Sequence, residues 1–164
     1  MSQNSTLYPP SNPRPGRLFG VLCVLSGVNA GYGVLSGIIT AISPPDVDST
    51  YIDNLFEQLE KFKLPIPDLQ DEVKEYYLNI MLNMGNLGAA NFLFFAIQFI
   101  GVVMMFRLNK TGFILYIIAQ LGLAAAPILF GSFNRFGKIT FGMTLIWSLI
   151  WISLYAFQLK KINR

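Results

Sequence analysis

Four long apolar runs, whose interiors carry no ionised side chain, constrain this chain more than any other feature of its sequence. A helix needs about 20 mostly apolar residues to cross the hydrocarbon of a bilayer, which is about 30 Å thick. Inside lipid the backbone must satisfy its own hydrogen bonds, which favours helices. The sequence therefore predicts an all-α, membrane-spanning antiparallel four-helix bundle. Its transmembrane helices are expected over residues 18–43, 79–106, 111–132 and 138–159.

The segments outside these runs are short, apart from one acidic loop. Residues 1–17 are predicted to form a disordered Pro-rich tail, and residues 160–164 a basic tail. In the loop over residues 44–78, apolar residues at helical spacing predict a short amphipathic helix over 50–63, in the first extracytoplasmic loop. From Asp68 the helical pattern continues into the second transmembrane helix, which is therefore expected to be long and to protrude outward.

Charge is segregated along the chain. All nine acidic residues lie between Asp46 and Glu75, where three lysines leave a net charge of −6, and the remainder carries nine basic residues and no acidic one. Lys and Arg near the ends of membrane helices favour the cytoplasmic side. The bias predicts that both termini are cytoplasmic and that the acidic loop is outside. The basic residues lie between apolar runs rather than in a patch, which argues against nucleic acid as a partner.

The start of the chain leaves one alternative open. Arg14 and Arg17, followed by the apolar run from Leu18 to Val28 and by small residues, resemble a cleavable secretory signal. The run continues to Ile42, however, which is longer than the apolar core of such a signal. A retained first helix is therefore the favoured interpretation.

The inventory of reactive side chains is poor. The chain has no His and a single Cys, Cys23, which excludes imidazole chemistry and paired-thiol chemistry. The acidic loop departs from a calcium-binding EF-hand because Tyr51 stands where the turn glycine is needed. We therefore expect no enzyme activity, no metal and no cofactor. The lack of an intramembrane Glu, of Cys pairs and of a Ser–His pair also separates the chain from small multidrug transporters, disulfide-forming oxidoreductases, tetraspanins, claudins and rhomboids.

Each predicted transmembrane helix offers a candidate hydrogen-bonding side chain near its middle. At about 1.5 Å per residue, these side chains lie about 12–16 Å from the predicted cytoplasmic end of the helix. They are Asn29, Gln98, Gln120 and Trp151. Neutral polar groups in lipid either bond one another across helices, at about 0.6–2 kcal/mol per bond, or line a binding site or path. Interhelical bonds are the favoured interpretation of this candidate polar layer.

The first predicted helix also carries two GxxxG pairs, Gly27 with Gly31 and Gly33 with Gly37. Small faces of this kind let helix backbones approach one another closely. The spacing predicts a helix-packing face, and the partner is either another helix of this chain or a second copy of it.

Two short motifs and the basic C-terminal tail carry a resemblance to other proteins. The motifs are Asn12-Pro-Arg-Pro-Gly16 before the first helix and Arg107-Leu-Asn-Lys-Thr-Gly112 before the third. With the tail, they resemble small uncharacterised four-span inner-membrane proteins of Bacteroidetes-type bacteria. The resemblance implies a multi-pass protein of the bacterial cytoplasmic (inner) membrane and implies no activity.

Because the unusual residues of the chain suit packing, the sequence favours an accessory or assembly subunit of a membrane complex. Its expected partners are the lipid bilayer and either another protein or a homo-oligomer. The alternative is a channel or an uncoupled small-solute carrier that uses the polar layer. A carrier requires a cavity that reaches the middle of the bundle, whereas a subunit of the favoured kind requires amides that bond one another in a dry bundle.

Overall fold

The computed structural model describes residues 16–45, 54, 57 and 67–162. Within these residues there are five α-helices and no strand, which confirms the all-α prediction. The helices are α1 (Arg17–Ile42), α2 (Pro67–Leu82), α3 (Met84–Phe106), α4 (Lys110–Phe130) and α5 (Arg135–Ile162). All but α2 are long and apolar enough to cross a membrane, as expected for a multi-pass membrane protein. Asn54 and Glu57 are helical, and the remainder of the predicted 50–63 helix lies outside the described residues.

The predicted unbroken helix over residues 79–106 is interrupted. Helix α2 ends at Leu82 and α3 begins at Met84, with Asn83 between them in a non-helical conformation. The Asn83 side chain donates to the backbone oxygen of Asn79 at 2.9 Å and to that of Phe130 at 3.4 Å. The Asn83 backbone nitrogen still donates to the Asn79 oxygen at 3.1 Å, and the Asn83 oxygen accepts from the Leu87 nitrogen at 2.9 Å, so the interruption is confined to the conformation of this one residue.

The four transmembrane helices pack in chain order. Helix α1 lies against α3, α3 against α4 and α4 against α5, whereas α1 and α5 touch only slightly. The end of the bundle that carries Arg17, Arg107 and Lys110 is called the basic end below, and the end that carries α2 is called the capped end. At the basic end, the rings of Phe19 in α1 and Tyr155 in α5 lie edge to face with their centroids 6.0 Å apart.

Only one of the two predicted GxxxG pairs lies in a close helix contact. A Cβ atom at Gly37 would lie 2.6 Å from the backbone nitrogen of Phe92 in α3, and one at Gly33 would collide with the ring of Phe95. A Cβ at Gly27 would meet only an ordinary contact, and one at Gly31 would find open space among the described residues. The packing face formed by Gly33 and Gly37 therefore belongs to the α1–α3 interface of this chain.

A second glycine contact, between α3 and α4, was not predicted. A Cβ at Gly101 would lie 2.8 Å from the carbonyl oxygen of Gly112, and a Cβ at Gly112 would crowd Gly101 in return. Gly112 closes the motif that begins at Arg107. In the same motif the Asn109 side chain accepts a hydrogen bond from the Thr111 backbone nitrogen at 3.0 Å and caps α4.

Helix α2 clamps the connection between α4 and α5 at the capped end. The Glu72 carboxylate accepts from the backbone nitrogen of Phe136 at 3.1 Å, where the dipole of α5 favours negative charge. The Glu75 carboxylate accepts from the Ser132 hydroxyl at 2.9 Å, and Asn134 donates to the Glu72 backbone oxygen at 2.7 Å. Part of the acidic loop is thus a structural cap, whereas its sequence predicts only a solvated helix surface.

The Tyr76 ring fills the space beneath this clamp. Its centroid lies 5.3 Å from that of Phe136, and the side chain is 3% exposed. Burial raises the pKa of the Tyr76 phenol above its ordinary value, and the neighbouring Tyr77 raises it further. The phenol is therefore neutral at physiological pH, in keeping with its apolar surroundings.

Candidate ligand-binding cavity

A cavity of about 680 Å³ lies between the four transmembrane helices. Its volume falls in the range of ordinary small-molecule sites, which is about 300–1,000 Å³. Every one of the four helices contributes to its wall, and most of that wall is apolar or aromatic. The lining residues used below are Leu25, Asn29, Gln98, Tyr116, Gln120, Met143, Trp147, Ser148 and Trp151.

All four members of the predicted polar layer line this one cavity. Asn29, Gln98, Gln120 and Trp151 come from four different helices, and the structure brings them together around the same space. Among the described residues, however, no hydrogen bond joins one of the three amides to another. The Gln120 amide instead donates to the Tyr116 hydroxyl of its own helix at 3.2 Å. The arrangement differs from the dry, mutually bonded layer that the sequence favoured.

Gln98 is the most unusual of these residues. Its side chain is 1% exposed, and its Oε1 atom has no hydrogen-bond partner among the described residues. A buried acceptor without a partner costs about 1–3 kcal/mol, so native proteins keep few of them. If the amide turned toward the cavity, a hydrogen-bond donor carried by a ligand would offset this cost.

An aromatic cluster closes the cavity toward the basic end. The Tyr116 and Tyr155 rings lie 4.7 Å apart, and Tyr155 in turn contacts Phe19. All three side chains are at most 1% exposed, and they belong to the main hydrophobic core together with Cys23 and Met105. The bundle is therefore tightly packed on this side, and the cavity does not continue through it.

The cavity reaches the surface of the bundle in the gap between α1 and α5. Leu25 on α1 and Met143 and Trp147 on α5 line the cavity, yet they are 54%, 68% and 63% exposed. Asn29 is exposed as well. We call this gap, bordered by these four residues, the α1–α5 seam.

Several of the residues that shape the cavity were not among the site residues predicted from the sequence. Tyr116 and Ser148 were missed because single hydroxyls in apolar helices are common and carry no spacing signal. Ser148 donates to the Gln120 backbone oxygen at 3.5 Å and so links α5 to α4. Trp147 lies one turn before Trp151, with their ring centroids 6.4 Å apart, and the i, i+4 spacing of this aromatic pair in the sequence indicates a shared contact surface.

No known protein family, curated protein or solved structure matches this chain.

Proposed function

We propose that this protein binds a small neutral molecule in the cavity between its transmembrane helices, as an uncoupled carrier does. The observation that carries the proposal is a cavity of about 680 Å³ whose wall includes Gln98, a buried amide with an unsatisfied Oε1 atom. An apolar pocket with a few convergent polar groups is the usual form of a ligand site. No charged residue lines the cavity in the described part of the chain, so its wall offers no group for coupling to protons or ions.

The closed basic end favours a carrier or binding protein over an open channel. A channel requires a continuous path, whereas the cluster of Phe19, Tyr116 and Tyr155 blocks the cavity on one side. The lack of His and of a Cys pair further supports our proposal that the protein is not an enzyme.

Fluorescence offers a direct test, because the two tryptophans of the chain, Trp147 and Trp151, both line the cavity. In a Trp147→Phe variant in mild detergent, Trp151 is the sole reporter. We expect at least one of two neutral quenchers, water-soluble acrylamide or lipid-soluble 4-bromophenol, to quench Trp151 with a saturating dependence on concentration. Saturation indicates a finite site, whereas collisional quenching does not saturate. If neither quencher saturates, small-molecule binding is rejected.

An accessory subunit is the second candidate function, and Tyr32 is the observation that favours it. This side chain is 74% exposed and lies about 22 Å along α1 from Arg17, within the membrane-spanning stretch. A hydroxyl group at that depth is stabilised by a hydrogen bond to another helix. The native mass of the same detergent preparation separates the candidates. A stable hetero-complex without saturable quenching would favour the subunit, and a monomer that binds a quencher would favour the carrier.

We further propose that the protein lies in the bacterial cytoplasmic membrane with both termini in the cytoplasm. The basic residues near the helix ends support this orientation, as does the resemblance to small four-span inner-membrane proteins. The packing of α1 into the core through Phe19 and Cys23 supports its retention in the mature protein.

Cysteines introduced at residues 3 and 163 provide the test of orientation. In a Cys23→Ala background, neither position should react with a membrane-impermeant thiol reagent in intact spheroplasts, and both should react after lysis. A cysteine in the 44–78 loop serves as the positive control. Labelling of residue 3 or residue 163 before lysis would reverse the proposed topology.

A further inference from the structure

We infer that the ligand is a neutral, lipophilic molecule with a hydroxyl donor, and that it reaches Gln98 from the hydrocarbon through the α1–α5 seam. This inference depends on the proposed function and specifies the class of molecule that the cavity takes. It also specifies that the molecule arrives from the lipid. A carrier for water-soluble solutes would instead take its solute from the water.

The position of the α1–α5 seam along the helices supports access from lipid. Leu25 and Asn29 lie about 12 and 18 Å along α1 from Arg17, and Met143 and Trp147 lie about 12 and 18 Å along α5 from Arg135. In a hydrocarbon layer about 30 Å thick, these depths are near its middle. An exposed residue at such a depth faces acyl chains and not water. The mouth of the cavity therefore opens laterally into the bilayer.

Among the described residues, the two ends of the bundle give the cavity no comparable opening. Toward the basic end, the rings of Phe19, Tyr116 and Tyr155 pack against one another. Toward the capped end, Tyr76 packs on Phe136 beneath the clamp made by Glu72. A molecule dissolved in water would have to displace one of these packed layers, whereas a molecule dissolved in lipid meets the open seam.

The wall of the cavity selects the chemistry of the ligand. A charged molecule is disfavoured, because no charged residue lines the cavity in the described part of the chain and an unpaired charge is costly in this setting. Gln98 lines the cavity, and its unpartnered Oε1 atom is buried beside it. A turn of the amide presents this acceptor to the ligand, so the matching group is a donor such as an alcohol or phenol hydroxyl. The apolar remainder of the ligand then lies toward Leu25 and Met143 at the seam.

Two matched quenchers test the donor. In the Trp147→Phe variant, 4-bromophenol carries the hydroxyl donor and 4-bromoanisole is a near-isosteric ether without it. We expect 4-bromophenol to quench Trp151 saturably with an apparent affinity at least about fivefold higher than that of 4-bromoanisole, since a buried acceptor discriminates against a ligand that leaves it unpaired. Equal affinities would overturn the donor requirement.

Acrylamide tests the direction of access and separates this inference from the proposed function. We expect acrylamide to produce no saturable quenching of Trp151, because a water-soluble molecule does not reach the cavity. Saturable quenching by acrylamide and not by 4-bromophenol would overturn the lipophilic class while leaving small-molecule binding intact. If neither quencher quenched Trp151 saturably, the proposed function itself would be rejected.

A pair of variants on α1 tests the seam. Leu25→Phe places a larger side chain at the mouth of the cavity, and Val24→Phe makes the same change at a neighbouring residue that is 59% exposed and does not line it. Because both positions face lipid, both variants should fold. In stopped-flow measurements, Leu25→Phe should slow the association of 4-bromophenol severalfold and Val24→Phe should leave it unchanged. Equal association rates would exclude the seam as the path.

Discussion

Gly37→Ala should destabilise the bundle strongly. The added Cβ would lie 2.6 Å from the Phe92 backbone nitrogen and 2.8 Å from its Cα atom, so a flexible side chain cannot relieve the contact. One of the two helix backbones must move instead, which opens the α1–α3 interface. Overpacking of this kind costs about 1–3 kcal/mol in free energy of unfolding. In a chain of this size that corresponds to a fall of about 2–12 °C in Tm, which circular dichroism in detergent measures.

Gly31→Ala is the matched control for this prediction. Gly31 lies in the same helix and in the other GxxxG pair, but a Cβ there would find open space among the described residues. Its Tm should stay the same or rise slightly, because Ala favours a helix more than Gly does. If Gly31→Ala were the more damaging substitution, the glycine face would serve contact with a second copy, and the α1–α3 assignment would be wrong.

Gln98→Leu should weaken ligand binding without lowering stability. It removes the buried, unpartnered Oε1 atom, and this relief is expected to offset the altered shape of the side chain. The Tm of the ligand-free protein should therefore stay level or rise by a few degrees. The saturable quenching of Trp151 by 4-bromophenol should weaken by about tenfold, which corresponds to about 1.4 kcal/mol of lost hydrogen bonding.

Gln120→Leu should have the opposite effect on stability. The Gln120 amide donates to the Tyr116 hydroxyl at 3.2 Å, so its removal deletes a buried hydrogen bond and lowers the Tm. The contrast in sign between these two glutamines, both at the wall of one cavity, distinguishes a structural amide from a ligand-binding one. If Gln98→Leu lowered the Tm more than Gln120→Leu, Gln98 would be an interhelical bonding group, as the sequence favoured.

The sequence does not show which of these two amides is structural and which binds a ligand, because both lie at about the same depth in an apolar helix. The depth of Gln98 and Gln120 follows from counting residues at a known rise, and that count already places them at one level. Their hydrogen-bond partners depend on how each helix is rotated about its axis. Gln120 points toward Tyr116, one turn earlier in the same helix, whereas Gln98 lies in the wall of the cavity with its Oε1 atom buried and unpartnered.

The sequence by itself determined the all-α class, the four helices that can cross a membrane, and the level of their polar side chains. These properties depend on length and composition, which lipid constrains strongly. The sequence also shows a GxxxG pair at Gly33 and Gly37, which lies in a close helix contact. It shows the same spacing at Gly27 and Gly31, however, which does not. A transmembrane helix is apolar on the lipid side and on the protein side alike, so its sequence does not show which face packs inward.

Only the tertiary structure decided how these helices are placed against one another. It assigned Gly37 to a contact with Phe92, ended α2 before Asn83, and used Glu72 to clamp the start of α5. It also separated α1 from α5 at mid-depth, which turned a predicted polar layer into the wall of a cavity. Apart from the end of α2, each of these features joins residues that are far apart in the chain. The physical reason is that close packing and hydrogen bonding depend on distances between helices, and the local pattern of a single helix does not contain those distances.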